Sequence, residues 1–336
     1  MLNRRAFLAT AGATLIAGST RSFAQTSAAK TNRIVVVANR YHEADGLMAA
    51  LCNRMARSPF LTTPYKIDWP RPTNPDPNAA PIDSEKPRCL IDVLGAPLDK
   101  TTLATVEIWC IDDLANTNGD SSAKAKAMEK ITAYGTAPDG VVAFGTAGYP
   151  GLASNNGCAT IGGTIFIHDA SNDAVGDHGN WSWPGYMEAL VPSKTPASFF
   201  ESVAADQKTL AAINLEMITP LTHPASVLQL IIAPDAVGIS SVNIPKNAPY
   251  CDIDTGAIVR ARAAGATNIT SVETTHGVIR SIWQETPFIY VTAIPNRVCH
   301  FPDEAQSMYA QEFPSSHNAG VALKHVLPFF AKAISQ

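Results

Sequence analysis

The chain has 336 residues, of which 46% are hydrophobic and 16% charged, and its formal net charge is −4. This length is enough for one large α/β domain or two smaller ones. The basic residues form no cluster that could neutralise a run of phosphates, which argues against nucleic-acid binding. No segment beyond the amino terminus approaches the ~18 consecutive apolar residues of a membrane span, so we expect no membrane insertion of the mature protein.

The first 24 residues have the pattern of an export signal. Arg4 and Arg5 precede a short apolar run, and Ser22-Phe23-Ala24 supplies the small residues that a signal peptidase reads. Paired arginines are typical of a twin-arginine signal, and an ordinary secretory signal or an uncleaved anchor are the alternatives. We predict cleavage and a periplasmic protein. Loss of this segment removes three arginines and no acid, which leaves a net charge of about −7.

Apolar runs and amphipathic patterns alternate along the rest of the chain. Strands are predicted at Arg33–Ala38, Val106–Ile111, Val141–Phe144, Ile161–Ile167, Val227–Ala233 and Phe288–Ile294. Helices are predicted at about 44–55, 122–134, 199–212, 272–284 and 316–334. The Pro-rich stretch at about 69–87 is predicted to be a surface loop. This alternation predicts a single α/β domain over 25–336, with a mainly parallel, mixed central sheet flanked by helices.

Six cysteines stand at positions 52, 89, 110, 158, 251 and 299. No two of them form a C-x-x-C pair, and their spacing matches no zinc site. An oxidising compartment permits one or more disulfides, but the pairing stays open. Cys110 lies in an apolar strand and is interpreted as a small core residue.

Polar residues follow several of the predicted strands, and α/β folds place their chemistry at such positions. Glu43 follows the first strand, and His168-Asp169 ends another. The stretch Gly145–Gly148 is predicted to be a small-residue turn after an apolar strand. Asn296 follows the last strand, and Glu273 lies near the start of a predicted helix. These residues are the candidates for a functional site.

Each candidate also has a purely structural interpretation. Glu43 can be a solvated acid at a helix start, where the macrodipole favours it. Glu273 can be a helix-capping carboxylate, and Asn296 a turn former. Gly145–Gly148 can be a turn and nothing more. His276 is interpreted as a structural histidine with satisfied hydrogen bonds.

In their order and spacing, the candidate segments resemble the purine nucleoside phosphorylase and nucleosidase superfamily. They look most like the methylthioadenosine/S-adenosylhomocysteine nucleosidases. The similar segments are Ile34–Val37 leading at the family's offset to Glu43, Gly145-Thr146-Ala147-Gly148, Ile165–Asp169, Val272-Glu273 in place of Met-Glu, and Ile294-Pro295-Asn296 in place of Ile-Ser-Asp. The resemblance extends over most of the mature chain and implies the fold of that superfamily.

The resemblance also implies a reaction, namely cleavage of the N-glycosidic bond of a purine nucleoside through an oxocarbenium-like transition state. Glu43 would activate water, and Glu273 after Val272 would bind the ribose hydroxyls. Backbone amides of Gly145, Thr146, Ala147 and Gly148 would lie close to the sugar and the nucleophile. No His, Asp or Glu spacing in the sequence suggests a metal, and we expect no cofactor. The resemblance implies a homo-oligomer.

Asn296 departs from the nucleosidase pattern, in which an Asp delivers a proton to purine N7. An amide does not titrate in the working range, but it can bond both O6 and N7 of a 6-oxopurine. Arg40 is the only well-placed basic candidate for a phosphate site, and Glu43 would repel phosphate, so water is the favoured nucleophile. The alternatives are phosphorolysis of 6-oxopurine nucleosides, and an exported purine- or nucleoside-binding protein that has lost the chemistry.

Overall fold

The computed structural model describes residues 31–66, 85–97, 101–117, 119–152, 155–173, 188–218, 220–245 and 247–336. The predicted signal at residues 1–24 lies outside these ranges, as does most of the Pro-rich stretch. Residues 31–336 make up one unit by their contacts. Within the described chain, no helix is long and apolar enough to cross a bilayer.

Strands and helices alternate along this unit, as the sequence predicts. The strands are β1 Asn32–Ala38, β2 Cys89–Leu94, β3 Thr102–Cys110, β4 Gly140–Tyr149, β5 Ala159–Gly162, β6 Thr164–Asp169, β7 Ala189–Val191, β8 Leu230–Ile232, β9 Ala236–Val242, β10 Asn268–Glu273 and β11 Phe288–Arg297. The helices are α1 Tyr41–Leu51, α2 Ile111–Leu114, α3 Ser121–Tyr134, α4 Ala197–Ala205, α5 Gln207–Glu216, α6 Tyr250–Ala263, α7 His276–Ile282, α8 Phe301–Glu304 and α9 Phe313–Ile334. A π-helical turn, Met308–Glu312, leads into α9.

The strands form one mixed sheet. Its main path runs β2-β3-β1-β4-β10-β9-β6-β7, while β11 pairs with both β4 and β5, and β5 pairs with β8. β1 runs parallel to β3 and β4, and β4 runs parallel to β11. β2, β7 and β5 join antiparallel partners. The predicted single α/β domain with a mixed central sheet flanked by helices is confirmed.

The alternating side chains of β1 explain how the sheet is covered on both faces. Ile34 and Val36 pack into a core built with α1, α4 and α9, whereas Val35 and Val37 pack into a second core built with α3 and α7. All four side chains are fully buried. A continuous β-branched run is typical of a central parallel strand covered in this way.

The predicted turn at Gly145–Gly148 is wrong, because β4 continues through it to Tyr149. Neither glycine has a positive φ. The glycines instead permit close approaches: a Cβ added to Gly148 would lie 3.2 Å from Val298 Cγ2. A strand glycine often marks such a contact.

The predicted helix at 272–284 begins too early. Glu273 is the last residue of β10, and α7 starts at His276. The strand predicted at Phe288–Ile294 ends too early, since β11 runs to Arg297 with a register shift between Ala293 and Asn296 and so contains Asn296. Proline cannot donate to the ladder, and it is tolerated at such an irregularity.

Two further predicted elements are each divided in the structure. The strand predicted at 161–167 is the pair β5 and β6, with Gly163 between them. The helix predicted at 199–212 is α4 and α5, because the Asp206 carboxylate caps a new helix by accepting from the backbone N–H of Thr209 at 3.0 Å. Cysteine pairing, left open by the sequence, joins Cys251 at the start of α6 to Cys299 after β11.

Candidate active site

Glu43 is fixed at the carboxyl end of β1, in the first turn of α1. Its side chain is only 3% exposed, so it is not the solvated helix-start acid of the structural interpretation. Oε2 accepts from the backbone N–H groups of Asn39 at 3.0 Å and Arg40 at 2.8 Å. Oε1 accepts from both the backbone N–H and the hydroxyl of Thr146, each at 2.8 Å. The carboxylate therefore caps α1 and also ties this helix to β4.

Gly145 is the point at which three elements meet. A Cβ added there would lie 3.1 Å from His276 Nε2 and 3.2 Å from Glu43 Oε1. Such distances are tighter than ordinary van der Waals contact, so only glycine lets α1, β4 and α7 approach this closely. The predicted proximity of Glu43 and Gly145 is thus present, and His276 joins them.

Glu273 lies under the amino terminus of α7 and is 9% exposed. Its carboxylate accepts from the backbone N–H of Thr275, and from that of His276 at 3.0 Å and 2.9 Å. The helix-capping interpretation is therefore correct for its backbone contacts. Two oxygens offer about four lone-pair sites, so Glu273 keeps capacity for another donor such as a hydroxyl.

Lys124 is a buried cation close to these carboxylates. From α3 its Nζ donates to the carbonyl of Thr274 and to the hydroxyl of Thr275, both at 2.9 Å. Burial lowers the pKa of Lys124 to about 8, while the charges of Glu273 and Glu43 act in the opposite direction. Lys124 therefore holds the β10–α7 connection in place and partly offsets the negative charge of the site.

The His276 side chain is 1% exposed and has a defined orientation. Its ring stacks on Tyr290 with centroids 6.2 Å apart. Nδ1 lies 3.9 Å from Glu273 Oε1, too far for a hydrogen bond, and makes no other hydrogen bond within the described chain. The interpretation of His276 as a structural histidine with satisfied hydrogen bonds is therefore wrong for this nitrogen.

A second group of titratable side chains surrounds Glu43. Arg40 Nη1 lies 3.7 Å from Asp112 Oδ1, and His42 Nε2 lies 3.3 Å from Glu312 Oε2. Burial raises the pKa of Asp112 to about 6 and that of Glu312 to about 7, and the charge of Glu43 adds to both shifts. Burial lowers the pKa of His42. Glu312 is therefore a second acid close enough for its charge to interact with that of Glu43.

Three strands bring the remaining candidates into register. Gly148 of β4 pairs with Val272 of β10 on one side and with Asn296 of β11 on the other. The Asn296 amide is buried and donates to the carbonyl of Arg297 at 2.7 Å. An adjacent cavity of about 290 Å³ is lined in part by Tyr149 and Arg297. None of Glu43, Glu273 and Asn296 lines this cavity, so it does not join the candidate residues to one another.

His168-Asp169 belongs to another network. The imidazole of His168 lies 3.1 Å from a Glu188 oxygen and 2.8 Å from an Asp173 oxygen. Arg260 contacts both acids, at 3.3 Å and 3.2 Å. These bonds form a structural ion network in which His168 is buried and Arg260 is partly exposed, so His168-Asp169 does not belong to the candidate site.

Several residues of the site were not found from the sequence, namely Lys124, His276, Asp112, Glu312 and Asp254. Burial raises the pKa of Asp254 to about 7, and Glu273 adds to the shift. Lys124 is buried and Lys126 exposed, although both lie in the same Ala-Lys repeat. For these residues, the sequence gives one indication: His276 lies three residues after Glu273, which places the two side chains close together.

Among the described residues, no cluster of His, Cys, Asp or Glu is arranged to hold a metal ion.

The fold and site thus define an α/β protein with a buried carboxylate–imidazole cluster at the carboxyl ends of parallel strands.

No protein-family model matches the chain, and no curated protein matches it. Among solved structures it is similar to the 5′-methylthioadenosine/S-adenosylhomocysteine nucleosidase from Neisseria meningitidis in complex with methylthio-immucillin-A, at 12% identity and a TM-score of 0.46, over 88% of this chain and 99% of that one. Futalosine hydrolase of Helicobacter pylori gives 12% identity and a TM-score of 0.47, over 88% and 97%. The Arabidopsis thaliana 5′-methylthioadenosine nucleosidase gives 12% and 0.45, over 89% and 96%. Similarity at this level carries no function over to this chain.

Proposed function

We propose that the protein is an enzyme that hydrolyses the N-glycosidic bond of a purine nucleoside or a related N-riboside. The observation that carries the proposal is the meeting of Glu43 Oε1 and His276 Nε2 at Gly145, with Glu273 directly behind the imidazole. Two carboxylates on one side of a ribose would stabilise the positive charge that develops on the sugar as the base leaves.

The candidate residues divide the work between sugar and nucleophile. In the proposal, Glu43 holds its negative charge beside the reacting sugar, and Glu273 uses its remaining lone pairs to bind ribose hydroxyls. Val272 and the backbone from Gly145 to Gly148 would form the wall beside the sugar. Both carboxylates are nearly covered, so a nucleoside reaches them only if covering segments move.

Water is favoured over phosphate by the charge of the site. Asp112, Glu312 and Glu43 surround the place where an anion would have to bind, and Arg40 already lies beside Asp112. A phosphate there would be repelled by those of the three acids that are ionised. Phosphorolysis is therefore the weaker alternative.

Asn296 supports a preference for the base. Its amide can both donate and accept, which suits O6 and N7 of a hypoxanthine- or guanine-like ring. In the structure Nδ2 is engaged with the carbonyl of Arg297, so base binding would have to compete with that bond. We propose a 6-oxopurine nucleoside as the first substrate to test.

The test is incubation of the purified mature protein with inosine, guanosine, adenosine and methylthioadenosine, each with and without phosphate. Hydrolysis releases free base and free sugar at a rate that does not depend on phosphate. A phosphate requirement, with sugar phosphate as product, would establish the phosphorylase alternative. Absence of base release under every condition would refute the proposed enzyme.

The second candidate function is binding without turnover. It is favoured by the four hydrogen bonds that the Glu43 carboxylate already accepts, since these leave no lone pair for a catalytic water. A thermal shift with free purines or nucleosides, without turnover of any nucleoside, would support it. No shift with any of these compounds would count against both candidates.

We also propose that the protein is exported to the periplasm. The support is the paired Arg4-Arg5 together with the Cys251–Cys299 disulfide, because disulfides persist in oxidising compartments. Fractionation of cells that express the full chain tests this. Replacement of both arginines by lysine should retain the protein in the cytoplasm, whereas unchanged export would exclude the twin-arginine route.

A further inference from the structure

We propose that the cavity at the ends of β4 and β11 is a separate binding site, which takes a small organic anion with a carboxylate or phosphate group. Its volume of about 290 Å³ is close to the lower end of the range for small-molecule sites. None of the residues assigned to nucleoside cleavage lines this cavity, so the inference goes beyond the proposed function and does not depend on it.

The first observation is the charge of the cavity wall. Arg262, Arg297 and His300 line the cavity, and none of the described residues in its wall is acidic. The whole chain has a net charge of −4, so the wall is opposite in sign to the molecule. A concave surface lined by charges of one sign concentrates ions of the other sign. An anion is therefore the ligand that this wall attracts.

The acids nearest to these basic groups decide how much positive charge remains for a ligand. Glu304 accepts from Arg297 Nε at 2.8 Å and lies 2.6 Å from Nη2, and Asp303 Oδ2 lies 3.8 Å from His300 Nδ1. Glu304 thus holds Arg297 in place, while Arg297 Nη1 makes no hydrogen bond within the described chain. The guanidinium of Arg262 is exposed and contacts no acid among the described residues. Arg262 therefore supplies the charge that is not offset.

The second observation is that bonds between the walls fix the shape of the cavity. One wall is α6, which contributes Ile258, and the Cys251–Cys299 disulfide attaches α6 to the segment after β11. The backbone N–H of Val298 donates to the carbonyl of Tyr149 at 2.9 Å, which joins the ends of β11 and β4. A cavity whose shape is already set binds a ligand at a lower entropic cost.

The third observation is an apolar and aromatic part of the same wall. Tyr149, Pro150, Ile258 and Val298 supply it. The Tyr149 ring folds over Gly151, where an added Cβ would lie 2.9 Å from Cδ1 and closer still to Cε1, so glycine is needed for this position of the ring. An inorganic ion cannot use such a surface, whereas an apolar or aromatic body gains contact area from it. The ligand is therefore an organic acid and not a bare ion.

The test is isothermal titration calorimetry of the purified mature protein at low salt. The probes are phenyl phosphate, benzoate, inorganic phosphate and benzyl alcohol. At least one of the two aromatic anions should bind more tightly than inorganic phosphate, which lacks the body, and than benzyl alcohol, which lacks the charge. Added salt should weaken this binding, because Arg262 is exposed. The tighter of the two aromatic anions identifies the acid group as phosphate or carboxylate.

Arg262→Gln is the deciding variant, because the guanidinium makes no contact that would be lost from the fold. We expect its affinity for the tighter aromatic anion to fall about tenfold or more, as for loss of a hydrogen bond between charged groups. Arg54→Gln is the matched control, since it removes the same charge from an exposed position after α1. Its affinity should equal that of the wild-type protein.

Tyr149→Leu tests the aromatic wall separately from the charge. It should weaken binding of the aromatic anion several-fold, since the stacking surface over Gly151 is lost. Tyr309→Leu, at a tyrosine that is 54% exposed and does not line the cavity, is the control and should bind as wild type does. Melting temperatures of both variants show whether either change disturbs the fold.

The outcomes separate this inference from the proposed function, because none of these measurements uses nucleoside turnover. A wild-type protein that binds the aromatic anions but cleaves no nucleoside refutes only the proposed function. Failure of the wild-type protein to bind either aromatic anion overturns the inference, whatever the result with nucleosides. Unchanged affinity in Arg262→Gln, or an equal loss in Arg54→Gln, also overturns it, since the anion would then bind elsewhere or through net charge alone. Equally tight binding of benzyl alcohol would refute the anionic ligand.

Discussion

At the scale of single residues, Glu43 shows how one side chain can serve structure and chemistry together. The same four hydrogen bonds that cap α1 and attach it to β4 fix the carboxylate beside Gly145. A capping role therefore does not argue against a functional one. What the capping does affect is the number of lone pairs left for a ligand, because four donors occupy the about four sites of the carboxylate.

The four donors around the Glu43 carboxylate lead to a prediction for Glu43→Gln. The side-chain amide of Gln is itself a donor and would face one of these four donors, so we expect a loss of about 1–3 kcal/mol in the free energy of unfolding. Loss of the charge should lower kcat about 100-fold, with a smaller change in nucleoside affinity. Chemical denaturation and steady-state kinetics measure the two effects. Glu129→Gln on the exposed face of α3 is the control, and wild-type turnover in Glu43→Gln would remove Glu43 from the mechanism.

At the scale of elements, the sequence predicts those whose patterning is strong and local. β1 and α9 follow from a β-branched run and a long amphipathic run. β9 was missed because Gly-Ile-Ser-Ser places small and hydroxyl side chains in a strand that is nevertheless fully buried. The same limit applies to the site: Glu43 and Gly145 are marked by strand ends, whereas Lys124 and His276 reach it only through the packing of α3 and α7.

The disulfide between α6 and the segment after β11 carries a prediction at this scale. It links residues 48 positions apart, and closing a loop of that length stabilises the fold by about 4 kcal/mol in the chain-entropy model. Replacement of both Cys251 and Cys299 by serine should lower the free energy of unfolding by up to that amount. Reductant should destabilise the wild-type protein and leave the double variant unchanged. An equal response of both proteins would mean that the bond does not form.

At the scale of the whole molecule, buried acids make stability depend on pH. Glu312 is the clearest case, because burial and the charge of Glu43 raise its pKa to about 7, with Arg40 opposing and His42 in contact. A carboxyl group whose pKa is higher in the folded protein lowers the free energy of unfolding at every pH where the same group is ionised in the unfolded chain. This cost begins near pH 4.5 and is complete above pH 7.

The prediction concerns the difference between Glu312→Gln and the wild-type protein, because groups far from Glu312 titrate equally in both. Relative to wild type, the variant should gain roughly 1–3 kcal/mol in the free energy of unfolding between pH 5 and pH 8, because the amide never ionises. Urea unfolding at several pH values measures this. Glu201→Gln, an exposed acid on α4, is the control and should show no such trend. A difference that does not change with pH would show that Glu312 is already ionised in the folded protein at pH 5. Glu312 would then add a second negative charge beside Glu43 throughout this pH range.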